Sequence, residues 1–224
     1  MQLSTDGVTL VQALLNEQEC DDVARSLGRL QAVGAGSRRL LHEPWCAALA
    51  EKVMGHPAVR AALPERARAV QCSVFEKSAA RNWLVAIHQD LSIPVAARVD
   101  HPALTGWSEK EGALFVQPPD GVLMQLLAVR IHVDACSLAD GPLKVVPGSH
   151  ELGRVEPAQA ALLGRAEGVT IPASRGDALL MRPLVLHASS KSSGTSRRRV
   201  LHFVFGPESL PCGLAWQESF RQRV

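Results

Sequence analysis

No apolar run in the 224-residue sequence is long enough to cross a bilayer, and the opening stretch MQLSTDGVTLVQALL has no basic segment followed by an apolar block. A membrane span and a secretion signal are both missing, so the chain is expected to be soluble and cytoplasmic. An excess of charge of one sign is missing too. With 24 Lys and Arg against 22 Asp and Glu, the formal balance is +2, too small and too dispersed for a nucleic-acid partner or an anionic membrane surface. Cysteine is sparse: Cys20, Cys46, Cys72, Cys136 and Cys212 are odd in number and form no C-x-x-C pair. That argues against a complete disulfide set and against a zinc knuckle. Repeats and low-complexity tracts are absent. What is present is 46% hydrophobic residues in a length that suits one compact domain, with small molecules as the expected partners.

The segment NEQECDDVARSLGRL, 16–30, opens on a capping Asn16 with acidic residues in the first turn and sets Val23, Leu27 and Leu30 on one face, which predicts a helix. Two more helices are expected between Glu43 and Leu63, with Pro44 in a first turn and Gly55-His56-Pro57 separating them. Beyond Pro64 the pattern turns to β. Val70, Cys72 and Val74 alternate with Gln71, Ser73 and Phe75, and WLVAI at 83–87 is short and β-prone. Further short apolar runs lie at 124–133, 143–146, 168–171, 178–181, 184–187 and 199–205, with turn residues between them. This spacing predicts a mainly β protein with N-terminal helices and a double-stranded β-helix core, a jelly roll of cupin-like type. The expected organisation is a single domain over 1–224, with a mainly helical N-terminal region over 1–66, a jelly-roll core over 67–206 and a C-terminal tail over 207–224. The interval from Leu91 to Asp120 shows no evident strand and reads as a long functional loop. Arg175-Gly176-Asp177 reads as a turn entering a strand.

Chemistry concentrates at Ile87-His88-Gln89-Asp90-Leu91, where an apolar strand meets that loop. On extended backbone, residues two apart face the same side, so the imidazole of His88 and the carboxylate of Asp90 can converge on one ion. His187, at the end of LVLH, can supply a third ligand if the jelly roll brings the two strand ends together. Two imidazoles and one carboxylate suit a mononuclear non-haem iron(II) site with open positions. The pattern occurs twice, however, and spacing alone does not exclude His132-Val133-Asp134. Its setting inside a strand among Val129, Ile131 and Val133 favours His88. Arg198, eleven positions past His187, can grip a carboxylate through its guanidinium, and Ser189 can add a hydroxyl donor; a solvated cluster Arg197-Arg198-Arg199 is the competing reading.

The segments FEKSAARNWLVAIHQDLSIPV (75–95), WSEKEGALFVQPP (107–119), VRIHVDACSLADGPLKVVPGSH (129–150) and GDALLMRPLVLHASSKSSGTSRRRVLHFVFG (176–206) together resemble the phytanoyl-CoA dioxygenase family of iron(II)/2-oxoglutarate-dependent oxygenases, nearly end to end. The resemblance implies that His88, Asp90 and His187 hold iron and act in catalysis. It further implies that Arg198 and Ser189 bind 2-oxoglutarate, with Ser73 and Arg130 as further cosubstrate residues. It assigns His132-Val133-Asp134 to a structural strand. Asp140-Gly141 stands where relatives often have Asn-Gly, and Ala188 where glycine is common; both leave the metal pattern intact. Because Asp90 is present, hydroxylation is implied over halogenation.

The expected activity is therefore an oxidation of an unactivated C–H bond in a small-molecule metabolite, with iron(II), 2-oxoglutarate and dioxygen consumed to give succinate and carbon dioxide. Alternation places Gln71, Lys77, Arg130 and His132 toward a pocket of polar, cationic character suited to a carboxylated substrate, and Trp107 with Phe115 are expected in a lid over it. The competing class is a metal-binding jelly roll without turnover, acting as a small-molecule sensor. Metal-assisted hydrolysis lacks an evident general base beside the triad.

Overall fold

The computed structural model describes residues 1–30, 40–78, 80–194 and 197–217. After one helical turn, α1 (Leu3–Asp6), and a strand, β1 (Val8–Val11), the first long helix α2 (Glu17–Arg29) begins on a capping box. The Asn16 side chain accepts from the Glu19 amide at 2.9 Å, and the Glu19 carboxylate accepts from the Asn16 amide at 2.9 Å. Helices α3 (Pro44–Gly55) and α4 (Pro57–Arg60) each start on a proline, where the missing N–H has no helical partner to lose.

The remaining elements build a jelly roll. Strand β2 (Ala67–Lys77) is followed by β3 (Val85–His88), β4 (Ile93–Val95), β5 (Thr105–Lys110), β6 (Ala113–Gln117), α5 (Asp120–Leu123), β7 (Leu127–His132) and β8 (Leu143–Val145). Then come α6 (Pro157–Ala166), β9 (Val169–Ile171), β10 (Ala178–Met181), β11 (His187–Ser189) and β12 (Arg198–Pro207). A five-stranded antiparallel sheet in the order β1-β10-β7-β12-β2 faces a four-stranded sheet in the order β3-β11-β8-β9, and β4-β6-β5 forms a third. Period-two alternation divides the large sheet into two chemically different faces. Leu127, Val129, Ile131, Leu201, Phe203 and Phe205 are fully buried against Val23, Ala50 and Val53 of the helical layer. The opposite face carries Ser73, Lys77, Arg130, His132, Arg198 and His202, all buried and all polar.

Three expectations need correction. The interval from Leu91 to Asp120 contains β4, β5 and β6; the hairpin between β5 and β6 turns on Glu111 and Gly112, both at positive φ (53° and 72°), a two-residue signature that marks the turn. β4 holds a proline and β5 is mostly polar, so neither shows an apolar run. The jelly-roll core is not confined to 67–206, because β1, within the mainly helical N-terminal region, pairs with β10 at the edge of the large sheet. In LVLH the strand begins at His187 rather than ending there, since Leu184 and Val185 lie in a turn closed by the Val185 amide on the Arg182 carbonyl. Helix α6, which starts on Pro157, had no counterpart in the expectations from sequence. At the far end, the Trp216 indole donates to the Pro207 carbonyl at 2.8 Å, tying the chain after β12 back to the sheet. Among the described residues no helix is long and apolar enough to cross a membrane.

Gly176, at φ +84°, brings the helical layer onto the jelly roll: its carbonyl accepts from Leu15, and a Cβ there would lie 2.2 Å from the Leu15 carbonyl oxygen. Gly176→Ala is expected to cost about 2 kcal/mol and to lower Tm by roughly 4–8 °C, measured by thermal unfolding.

Candidate metal centre

Antiparallel pairing of β3 with β11 sets His88 opposite His187, and their ring centroids stand 4.2 Å apart. A shift in register between His187 and Ser189 leaves Val85 and His88 both facing the same cavity, as a bulge does by inserting one residue into the alternation. Asp90, just past the strand, brings its carboxylate between the rings. Its Oδ1 is 3.8 Å from His88 Nε2 and its Oδ2 is 3.7 Å from His187 Nε2. Those separations exceed hydrogen-bond reach, so the three donor atoms face a shared gap; one ligand atom from each residue lies within 4.8 Å of the others.

The ring orientations fit a metal. His88 Nδ1 lies 2.8 Å from the Ala86 carbonyl and His187 Nδ1 lies 2.9 Å from the Val185 carbonyl. A carbonyl only accepts, so Nδ1 carries the proton and the Nε2 lone pair is left for a cation. Burial pushes the pKa of His187 down, which favours the neutral form that ligates. Burial acts on Asp90 in the opposite sense to its neighbours, and His187, His202, His88 and Arg130 together hold its carboxyl below the ordinary value.

Two polar side chains that sequence reasoning passed over hold this geometry. Gln89 points away from the metal gap: its Nε2 donates to the Gly153 and Leu184 carbonyls at 2.7 Å each, and its Oε1 accepts from the Val155 amide at 2.9 Å. Ser149, buried between β8 and β11, donates to the Val146 carbonyl at 2.6 Å and accepts from the Leu186 amide at 2.8 Å, fixing the residue before His187. The signal for Gln89 was its place between two ligands on extended backbone. There it must face the side opposite the ligands, and a buried amide needs partners.

From this gap a cavity of about 490 Å³ runs between the two main sheets. His88, Asp90, His187, Ser189, Arg198, Ser73, Arg130, Gln71 and Lys77 all line it, as does Phe115. At one end, Lys77 and Arg198 are ladder partners. Lys77 donates to Ser189 Oγ and to the Ser190 carbonyl at 2.6 Å each. Arg198 donates to the Gly141 carbonyl, and its Nε is buried with no partner among the described residues. Gly141 (φ +65°) permits this approach, for a Cβ there would lie 2.3 Å from the Ser190 carbonyl oxygen. Arg130 stacks on Phe75, 5.3 Å from ring centroid to guanidinium carbon. Asp90 is the one carboxylate among the lining residues. Burial, and then Arg198, lower Lys77 to about 8 and Arg130 to about 10. Three buried cations with a single acid make a site for an anion.

Trp107 and His132, expected at the substrate, do not line the cavity. Trp107 packs with the apolar cluster around Ile93, Val116 and Leu214 and lies under the guanidinium of Arg98. His132 is sealed in the sheet with both ring nitrogens unpartnered among the described residues, and burial lowers it to about 3. Its companion Asp134 is turned outward in a two-pronged pair with Arg199, at 2.8 and 2.7 Å, so the second H-x-D cannot close on one ion as it stands. Lys77, also expected at the substrate, stands instead at the Arg198 end. Sequence reasoning also missed His202, which lies on β12 with Nε2 3.8 Å from Asp90 Oδ2.

The profile of the phytanoyl-CoA dioxygenase family matches residues 3–200. A search of curated proteins gives no significant match. Among solved structures, HygX from Streptomyces hygroscopicus with nickel and 2-oxoglutarate bound aligns with TM-score 0.66 at 18% identity, covering 92% of this chain and 84% of that one. The non-haem α-ketoglutarate-dependent carbocyclase SnoK from nogalamycin biosynthesis aligns with TM-score 0.66 at 15% identity, over 99% and 86%. The related epimerase SnoN gives 0.56 at 19%, over 99% and 88%. At these identities the likeness is one of fold.

Replacing Gln89 by Leu removes three hydrogen bonds and orphans two carbonyls and an amide. At about 1 kcal/mol each, the loss is expected near 3 kcal/mol, a fall of roughly 6–12 °C in Tm. Calorimetry checks it; an unchanged Tm would contradict a clamping role.

Proposed function

The chain belongs to the phytanoyl-CoA dioxygenase family, and from that premise we propose that it is an iron(II)- and 2-oxoglutarate-dependent oxygenase that oxidises a C–H bond of a small-molecule metabolite, releasing succinate and carbon dioxide. The observation that carries this reading is the pairing, in one cavity, of a three-donor metal gap with the buried cations Lys77, Arg130 and Arg198. A dicarboxylate that chelates a metal at one end has its other charge to satisfy, and these cations line the same cavity as the metal gap. Solved structures of similar fold that hold nickel with 2-oxoglutarate, iron, or iron(III) with α-ketoglutarate support the assignment.

In this reading His88, Asp90 and His187 would hold the iron, with cosubstrate and dioxygen reaching it from the cavity. When bound, iron(II) with 2-oxoglutarate and dioxygen supplies the oxidising power for hydrogen abstraction from an unactivated carbon. The protein's own residues bind, orient and exclude water. Arg198, Lys77 and Ser189 grip the distal carboxylate through charge-assisted bonds. Ser73 and Arg130 flank the space between that end and the metal. Gln71, Trp83, Phe115 and Leu126 wall the remaining volume, where a small substrate lies against an apolar surface with few polar contacts. The hairpin β5–β6, through Phe115, closes this side against water.

His88→Ala and Asp90→Ala are expected to abolish succinate release from 2-oxoglutarate; wild-type rates in either variant would sink the metal assignment. A pH dependence follows from Lys77. Its lowered value of about 8 means it is charged below that pH and neutral above, so cosubstrate affinity should fall as pH rises through 8. Lys77→Met should bind 2-oxoglutarate more weakly at pH 7 and show no such fall. Isothermal titration from pH 7 to 9.5 reads both, and a flat wild-type profile would remove Lys77 from the carboxylate site.

A further inference from the structure

His202 is the one histidine among the described residues that faces the metal gap without being counted among its three donors. It sits on β12, opposite Ser73 and Arg130 in the ladder, four residues past Arg198 on the same face. Its side chain is 8% exposed, and the ring meets Phe75 edge-on at 6.0 Å. Nε2 stands 3.8 Å from Asp90 Oδ2, as near to the carboxylate as the two ligand histidines, yet His202 falls outside the set of donors that lie within 4.8 Å of one another. Nδ1 is buried and has no partner among the described residues. Burial favours the uncharged ring, which has one proton to place.

We propose that His202 is a positioning residue for the metal: its Nε2–H holds the outer oxygen of Asp90, so that the carboxylate offers a single oxygen to the ion. A carboxylate free to pivot can take two coordination positions instead of one, and the second is needed for cosubstrate or dioxygen. In a dry cavity the oxygen that does not bind metal also needs a donor, since an unmet buried acceptor costs free energy. Among the described residues His202 Nε2 lies 3.8 Å from Oδ2, the oxygen that His187 Nε2 also faces at 3.7 Å, whereas Oδ1 faces His88. The proton on Nε2 is the tautomer opposite to that of the two ligand histidines, whose Nδ1 atoms are tied to carbonyls. At 3.8 Å the contact is longer than a hydrogen bond, and holding Asp90 requires it to shorten in the loaded site. Such outer partners of ligating carboxylates set how firmly the ion is held.

This inference rests on the proposed metal site, and the test separates the two. Iron(II) alone is titrated anaerobically into the full chain, followed by 2-oxoglutarate, for wild type, His202→Leu and His202→Gln; the glutamine amide reaches nearly as far as Nε2 and keeps a donor. The expected result is roughly 10–100-fold weaker iron binding in His202→Leu, recovery to near the wild-type value in His202→Gln, and unchanged apo-protein melting in both. Should the leucine variant not fold, His202→Phe makes the same comparison. Wild-type iron affinity in the leucine or phenylalanine variant overturns the proposal. So does a loss confined to 2-oxoglutarate affinity, which would make His202 a cosubstrate contact, or a glutamine variant as weak as leucine. If the wild-type chain binds no iron, it is the metal site itself that fails.

Discussion

The register in which β3 pairs with β11 is the constraint on which the site depends. Because side chains alternate along a strand, a slip of one residue would turn either His88 or His187 to the opposite face, and no adjustment of Asp90 could restore three converging donors. The pairing is therefore held from several sides. Gln89 ties the dyad to the carbonyls of Gly153 and Leu184, Ser149 fixes the residue before His187, and α6 lies close on β3 because Gly164 has no Cβ to meet Ile87. These contacts lie outside the metal gap and decide its shape.

The second organising fact is electrostatic. A folded chain does not ordinarily bury Lys77, Arg130 and Arg198 around one cavity with Asp90 as the only acid lining it. Desolvating a cation without a counter-charge is costly, and the lowered values of Lys77 and Arg130 register that cost. The large sheet accepts it on its inner face because its outer face contributes a dense apolar layer against the helices. One face of the sheet packs against the helices, and the other carries the cations beside an apolar patch of Ala128, Leu179 and Met181; period-two alternation keeps the two faces apart.

Much of this was legible in the sequence. The capping box at Asn16, the prolines that open α3 and α4, and the alternation of β2 each rest on local chemistry and appear where that chemistry puts them. The jelly roll followed from the count and spacing of short apolar runs. The three strands between Leu91 and Asp120 did not, because Pro94 interrupts β4 and β5 is mostly polar, which left the short apolar run of β6 without evident strand neighbours. The H-x-D motif could not choose between its two copies from spacing. In the structure the choice is made by what each carboxylate meets: Asp134 is taken by Arg199, whereas Asp90 is left facing histidines. His202 and Gln89 were invisible for a related reason, as a lone histidine in a strand and a glutamine between ligands carry no motif. Trp107 was misplaced because the residue, expected in a loop, lies in the polar strand β5 and packs into an apolar cluster.

The most direct test of the central claim is an anaerobic titration of the wild-type chain with iron(II) and then 2-oxoglutarate, followed in the visible range. If His88, Asp90 and His187 hold the metal and the cation cluster holds the far carboxylate, a weak charge-transfer band develops and saturates at one iron and one 2-oxoglutarate per chain. No band at saturating iron and 2-oxoglutarate would contradict the account.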